Sequence, residues 1–193
     1  MSALNSYSAR QKICSGSGRN MLEIGMICAE AGEKIARVSA NMAMAADMEV
    51  RASSTATTGA YSSACQRGLP AILMERGGGG RFTDSEVQAY KQDVKNIMIR
   101  MGLLSGEEVH TVQQKNVTRA EYLEAETDGL WYPVFSAGDT FAGGAVLGTV
   151  RDIWGNLLLE YRADYPGIIL YQTVGLGVKT GDPLIAYGEY VDR

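Results

Sequence analysis

The chain has 193 residues, with 18 Lys and Arg against 22 Asp and Glu for a net charge of −4, and 46% of its residues are hydrophobic. Length and apolar content suffice for one sizeable or two small globular domains, whereas the slight acidic balance and the lack of a basic face exclude the phosphate neutralisation that nucleic-acid binding requires. No apolar stretch approaches the roughly 20 residues that cross a bilayer, and the first residues lack the basic, apolar, small-residue order of a signal peptide; a cytoplasmic protein with no membrane partner is expected.

From Asn20 to about Met48 the sequence is rich in Ala, Met and Glu and poor in punctuation, which predicts one or two helices. Met21, Ile24, Ile27 and Cys28 fall near helical spacing, as do Ile35 and Val38, and the methionines read as core filler. The stretch "RASSTATTGAYSSACQRGLP", 51 to 70, offers a short helix from Gly59 to Arg67, closed by Gly68 and stopped by Pro70. Ala71 to Met74 then form a continuous apolar run of the kind found in buried parallel strands, and Glu75 stands at its end. After Gly77 to Gly80, "TDSE" at 83 to 86 has the spacing of a capping box, and Val87, Tyr90, Val94, Ile97 and Met101 line one helical face up to Gly102. Helix, strand, loop and helix make an α/β unit over 1 to 104.

Residues 105 to 118, "SGEEVHTVQQKNVT", are polar and aperiodic and read as a linker. Beyond it, strand-like runs recur at "EYLEAE", "GLWYPV", "AVLGTV", "NLLLEYRA", "GIILYQT" and "PLIAYG", which predicts an all-β sandwich module over 119 to 193. An apolar-x-x-Gly-x-x-Leu frame occurs twice there, as Phe141, Gly144, Leu147 and as Val178, Gly181, Leu184. Each copy calls for a tight turn before a strand, with Gly supplying the left-handed conformation. Biotinyl and lipoyl carrier modules show this pattern, but they hold their prosthetic group on a hairpin lysine, and the turn between the halves here reads "RDIWGN". A carrier role is set aside.

Candidate chemistry is sparse. Cys14, Cys28 and Cys65 are scattered without a C-x-x-C pair and read as free buried thiols. The single histidine, His110, cannot build a His-rich metal site alone, and its place in the polar linker marks it as a solvated residue. The glycine run lacks the lysine of G-x-x-x-x-G-K-[ST] and the spacing of G-x-G-x-x-G, so it is no phosphate loop. Glu75 is different, because a carboxylate directly after an apolar strand costs free energy unless something pairs with it. On spacing alone two readings stand: an ion pair with Arg76 or Arg81, or a functional carboxylate at a sheet edge.

The ordered stretches "GLPAILMERGGGG", "VKNIMIRMGLL", "DGLWYPVFSAGDTFAGGAVLGTVRDIWGN" and "VKTGDPLIAYG" resemble the C-terminal portion of the succinylglutamate desuccinylase/aspartoacylase family, zinc amidohydrolases related to the carboxypeptidases. The subgroup that deacetylates N-acetyl-diaminobutyrate looks nearest. The resemblance covers about residues 50 to 190. It implies a partial zinc-carboxypeptidase-like α/β domain followed by the β-sandwich, and a small N-acyl amino acid as substrate. It also implies that Glu75, the glutamate matching the family's motif, passes a proton from water to the leaving amine. The cofactor implied is zinc, yet the family's H-x-x-E motif and later histidine have no counterpart here, and "GRN" at 18 to 20 does not match the family's substrate-gripping Asn-Arg pair.

The resemblance therefore leads us to expect a fragment or diverged member, inactive by itself, with a zinc-bearing N-terminal half as partner or with homo-oligomers covering exposed sheet. A truncated chain, a split enzyme and a domain kept for a non-catalytic binding or assembly role are the three forms it could take.

Overall fold

A computed structural model describes residues 19–21, 24–28, 32–54 and 59–191. The chain divides into two compact units, an α/β unit drawn from 23–76 and 82–118, and a β unit drawn from 77–81 and 119–190 together with the first described strand.

In the α/β unit, strand β2 (Ile24–Cys28) leads to helix α1 (Glu33–Ala45), strand β3 (Val50–Ser54), helix α2 (Ala60–Gln66), strand β4 (Ile72–Glu75) and helix α3 (Asp84–Arg100). The first part of β5 (Lys115–Glu124) completes it. β2 runs parallel to β3 and β3 parallel to β5, while β4 lies antiparallel to β2. The order is β5-β3-β2-β4, which makes β4 an edge strand of half-buried residues and not the buried parallel strand expected from its apolar run.

The stretch read as continuous helix begins instead with strands. Ile24, Ile27 and Cys28 lie in β2, and helix starts only after Gly32. Gly25 weakens a helical turn and the two isoleucines favour a strand. Small residues then line the inward side of α1, with Ser39, Ala43 and Ala45 buried, and Met48 is fully buried just beyond the helix. α2 and α3 end alike: Gly68 and Gly102 adopt positive φ, and the N–H groups of Leu69 and Leu103 bond back to the carbonyls of Ala64 and Met98. Both are Schellman terminations, in which glycine takes the left-handed position. At the start of α3 the expected capping box is present. Glu86 N–H donates to Thr83 Oγ1 at 3.2 Å and Thr83 N–H to Glu86 Oε2 at 2.6 Å.

The β unit holds two sheets, one with β1 (Arg19–Met21), β10 (Gly167–Thr173), β12 (Pro183–Val191) and the later part of β5, with β7 (Thr140–Phe141) paired to β10. The second sheet is ordered β11 (Gly177–Val178), β6 (Gly129–Pro133), β8 (Val146–Arg151) and β9 (Leu157–Arg162). All six strand-like runs of the sequence appear as strands. Both copies of the repeated frame form the same device: Gly144 and Gly181 have φ of 79° and 84°, Ala145 N–H bonds to Ala142 and Asp182 N–H to Lys179, and the frame residues Phe141, Leu147, Val178 and Leu184 are buried. A positive φ at the third position of such a turn is what glycine provides without a Cβ clash.

Side chains from both sheets share one apolar cluster around Trp131, Leu147, Val150, Ile169, Leu184 and Tyr187. Trp131 meets Tyr161 edge-on at 5.7 Å, and Phe141 meets Tyr187 edge-on at 5.5 Å. Trp131 fits only because β8 offers no side chain at Gly148, where a Cβ would stand 2.3 Å from the indole. No helix among the described residues is long and apolar enough to cross a membrane.

Replacing Gly148 with Ala therefore forces the indole or β8 to move and should lower stability by about 1–3 kcal/mol. Urea unfolding followed by Trp fluorescence measures it; an unchanged midpoint would show that the cluster has slack the geometry does not.

Candidate functional site

Glu75 closes β4, half-buried and opposite Ile24 at the start of β2. Because β4 is antiparallel to β2, Glu75 lies beside the beginning of the parallel strands, so the usual argument from carboxyl ends of parallel strands does not apply to it. What singles it out is how its surroundings are held.

The peptide groups on both sides of Glu75 are tied to one phenol. Tyr90 Oη accepts from the N–H of Arg76 at 2.7 Å and donates to the carbonyl of Met74 at 3.3 Å. The next side chain is anchored more firmly. Arg76 Nε donates to Asp93 Oδ2 at 2.7 Å, and its Nη2 donates to Asp93 Oδ1 at 2.9 Å and to the carbonyl of Asp47 at 2.7 Å. The Arg76 side chain is 4% exposed and that of Asp93 fully buried. Asp93 Oδ1 also accepts the N–H of Asp47 at 2.8 Å. Burial pushes the Tyr90 phenol above its ordinary value; the Arg76 N–H opposes this, and the negative charge of Glu75 adds to it. Tyr90 thus stays protonated at neutral pH and remains a donor.

These contacts correct part of the reading of α3, whose expected inward residues Tyr90 and Ile97 are half-buried. Val87, Val94 and Met101, expected on its inward face, are 36%, 48% and 40% exposed, and the fully buried positions are Asp93 and Asn96. Asn96 Nδ2 donates to the carbonyl of Val109 at 2.7 Å and its Oδ1 accepts Val109 N–H at 3.0 Å. Polar groups occupy the inward face because each is paired, which removes the penalty that otherwise keeps them out. Tyr90, Asp93 and Asn96 recur at three-residue intervals, a helical stripe that the sequence carries in polar form.

His110 is exposed, as its place in the polar stretch predicts, and it also faces two carboxylates. Its Nε2 lies 2.9 Å from Glu108 Oε2 and its Nδ1 4.0 Å from Asp47 Oδ1. Glu108 receives both arms of the Arg100 guanidinium, and Asp47 accepts from Thr111 N–H, Thr111 Oγ1 and Val112 N–H. Burial works against the Asp47 charge, but the Thr111 and Val112 donors and His110 hold its carboxyl below the ordinary value. Glu108 is held low by Arg100 first and His110 after it, against some burial.

Residues 78 to 81 form a turn closed by Arg81 N–H to the carbonyl of Gly78 at 3.1 Å. Gly77, Gly79 and Gly80 have φ of 74°, 63° and 70°. A Cβ at Gly79 would meet open space, so backbone conformation and not close packing calls for glycine there. Cys65 is a buried free thiol, with Sγ 3.5 Å from the Ala71 carbonyl; Cys14 lies outside the described residues. Arg51, buried on β3, directs Nε and Nη2 at Asn116 Oδ1, a pairing with no signal in the sequence.

Zinc, the cofactor implied by the resemblance, does not fit this set of residues. Among the described residues no group of three or more His, Cys, Asp or Glu is arranged to hold a metal, and the carboxylate oxygens near His110 accept from Arg100, from the Thr111 hydroxyl and from the backbone N–H groups of Thr111 and Val112.

No protein-family model matches this sequence, and neither does any curated protein. Solved structures do. The product-bound ectoine utilization protein EutE (DoeB) of Ruegeria pomeroyi superposes with a TM-score of 0.79 at 19% identity over 90% of this chain and 55% of that one. A succinylglutamate desuccinylase of a Silicibacter species gives 0.78 at 21% identity, over 91% and 55% of the two chains. A succinylglutamate desuccinylase/aspartoacylase of Rhodobacter sphaeroides gives 0.76 at 19%, over 92% and 56%. The chain has the fold of a portion of these proteins and spans a little over half their length.

Two measurements check the site. Asp93→Ala strands the Arg76 guanidinium in the interior and should cost about 3–5 kcal/mol, whereas Arg76→Met with Asp93→Leu should cost clearly less, because no lone charge is left behind. The second concerns acid. Asp47 and Glu108 have folded-state pKa values below their unfolded ones, so their stabilisation is present above the ordinary carboxylate range and is lost as pH falls through the folded values. The melting temperature should fall below about pH 4, and by less in Asp47→Asn; an equal fall in that variant would remove Asp47 from the account.

Proposed function

We propose that this chain forms part of an amidohydrolase that removes an acyl group from a small N-acyl amino acid, with Glu75 as its proton-transfer residue. The observation that carries the reading is the double restraint on Glu75: Tyr90 grips the peptide groups on either side of it, and the buried Arg76–Asp93 pair fixes the residue that follows. A general base has to be held where the proton passes, and a carboxylate at the end of a clamped strand meets that requirement better than one on a mobile loop. The fold shared with proteins described as desuccinylase, aspartoacylase and ectoine utilization protein supports the same reaction class.

In this reading the Glu75 carboxylate takes a proton from the attacking water as its oxygen bonds to the amide carbon. It then gives that proton to the nitrogen as the C–N bond breaks, leaving a free carboxylic acid and an amine. The described residues offer no electrophile for the carbonyl oxygen, and none is assigned to them. Polypeptide corresponding to the rest of the relatives' fold would supply it, and the chain alone is expected to be inactive. N-acetyl-diaminobutyrate heads the list of substrates because the sequence resembles the subgroup that deacetylates it.

A second reading, a non-catalytic binding or assembly module, draws on one feature: Val94, Met98, Met101 and Leu103 leave an apolar outer face on and just after α3, at 37% to 74% exposure. Apolar surface of that kind commonly meets a partner.

The test is a chimera in which this chain replaces the matching portion of the R. pomeroyi EutE protein. Hydrolysis of N-acetyl-diaminobutyrate, N-succinylglutamate and N-acetylaspartate is expected for at least one substrate, with Glu75→Gln losing about 10²-fold or more in kcat and little in KM. A folded chimera whose turnover survives Glu75→Gln would overturn the role of Glu75. Turnover by the purified 193-residue chain alone would overturn its expected inactivity.

A further inference from the structure

Residues 46–49 join α1 to β3, and Asp47 in that link is engaged on two sides. Inward, its N–H donates to Asp93 Oδ1 at 2.8 Å and its carbonyl accepts from Arg76 Nη2 at 2.7 Å. Outward, its carboxylate accepts from Thr111 N–H at 2.8 Å, the Thr111 hydroxyl at 2.5 Å and Val112 N–H at 3.1 Å. Every polar group of Asp47 is therefore used. Its backbone serves the pair that fixes the residue after Glu75, and its side chain serves a segment 64 residues further along the chain. A carboxylate suits this place because it offers two charged acceptor oxygens to three donors, where an amide offers one neutral oxygen.

Residues 108–115 form a strap laid across that link and along the later part of α3. Glu108 is held by the Arg100 guanidinium, and Asn96 takes both the carbonyl and the N–H of Val109. Gln114 Nε2 donates to the carbonyls of Ala43 at 3.1 Å and Met48 at 3.3 Å, and Lys115 N–H to that of Glu49 at 2.8 Å. Apolar burial contributes little, since Val109 and Val112 are 49% and 36% exposed. A surface segment held mainly by polar contacts opens locally at a lower free energy than the unit beneath it. Opening takes three donors from Asp47 and leaves the link restrained from its inner side only.

We propose that Asp47 is a positioning residue that couples this strap to Glu75. With the strap docked, Asp47 steadies the Arg76–Asp93 pair and, through it, the end of β4; with the strap open, that end loosens. The effect on the backbone stands by itself, and only its consequence for turnover rests on the reading of Glu75 as the proton-transfer residue.

Amide hydrogen exchange of the purified chain at neutral pH, followed by NMR, tests the coupling without any activity. Asp47→Ala removes the strap's acceptor, and Thr111→Val removes one donor from the exposed strap; neither alters Arg76, Asp93 or Tyr90. The Arg76 N–H, which bonds to Tyr90, should exchange about tenfold faster in Asp47→Ala and about threefold faster in Thr111→Val. Asp47→Asn, which keeps an acceptor, should fall between the native chain and Asp47→Ala. Exchange at the centre of the paired strands β2 and β3 should not change. In the chimera with the R. pomeroyi protein, the same variants should lower kcat with little effect on KM. Faster exchange at Val112 with the Arg76 N–H unmoved would overturn the coupling, as would an equal loss of protection throughout the unit, which would make Asp47 a stabilising residue only. A loosened Arg76 N–H with unchanged kcat would instead uphold the coupling and remove Glu75 from the chemistry.

Discussion

The α/β unit is organised around one buried ion pair. Arg76 and Asp93 are both withdrawn from water, which costs several kcal/mol per charge, and the cost is offset because the guanidinium and carboxylate satisfy each other at two contacts while the backbone of Asp47 accepts from a further guanidinium N–H and donates to the carboxylate. A pair of this kind adds little net stability over an apolar replacement, but it is strict about geometry. It ties the end of β4, the middle of α3 and the link between α1 and β3 to one point. Displacement of any of the three leaves a charge unsatisfied in the interior, so the arrangement has few neighbours of similar energy.

The β unit is held by a different kind of constraint. Its core is aromatic and aliphatic, and its specificity comes from clearance: Gly148 makes room for Trp131, and Gly167 allows β10 to approach β12, where a Cβ would stand 2.4 Å from the carbonyl oxygen of Gly188. Two equivalent turns, at Gly144 and Gly181, feed buried leucines into that core. Substitution here is limited by volume and backbone angle, whereas in the α/β unit it is limited by charge.

This contrast explains what could be read in advance. Strand runs, the repeated frame and the Thr83 capping box were legible because each depends on residues close in sequence: alternation, a turn glycine, or a side chain reaching three positions along. The inward face of α3 was not, because Asp93 and Asn96 become acceptable interior residues only when Arg76 and the backbone of Val109 arrive from elsewhere in the chain. The same holds for His110, whose carboxylate neighbours are Glu108 nearby and Asp47 far away in sequence. At the start of the α/β unit, alanine and methionine content suggested helix throughout, and strand pairing of β2 with β3 and β4 outweighed it. For Glu75 the difference lies in the strand that carries it, an antiparallel edge in place of a buried parallel strand, whose end is restrained by Tyr90 and Arg76 through contacts made far along the chain.

The side chains described above as restraining the backbone around Glu75 belong to one unit. Tyr90, Asp93 and Asp47 come from that unit's own helix and loop. In a hydrolase built on these parts, proton transfer and carbonyl activation would be separable: the first rests on a platform formed by this chain, the second on groups from outside the described residues. Such a division lets the carboxylate keep its place whether or not the electrophile is present. The position of Glu75 would then be a property of folding, and any use of it as a base a property of what is brought to it.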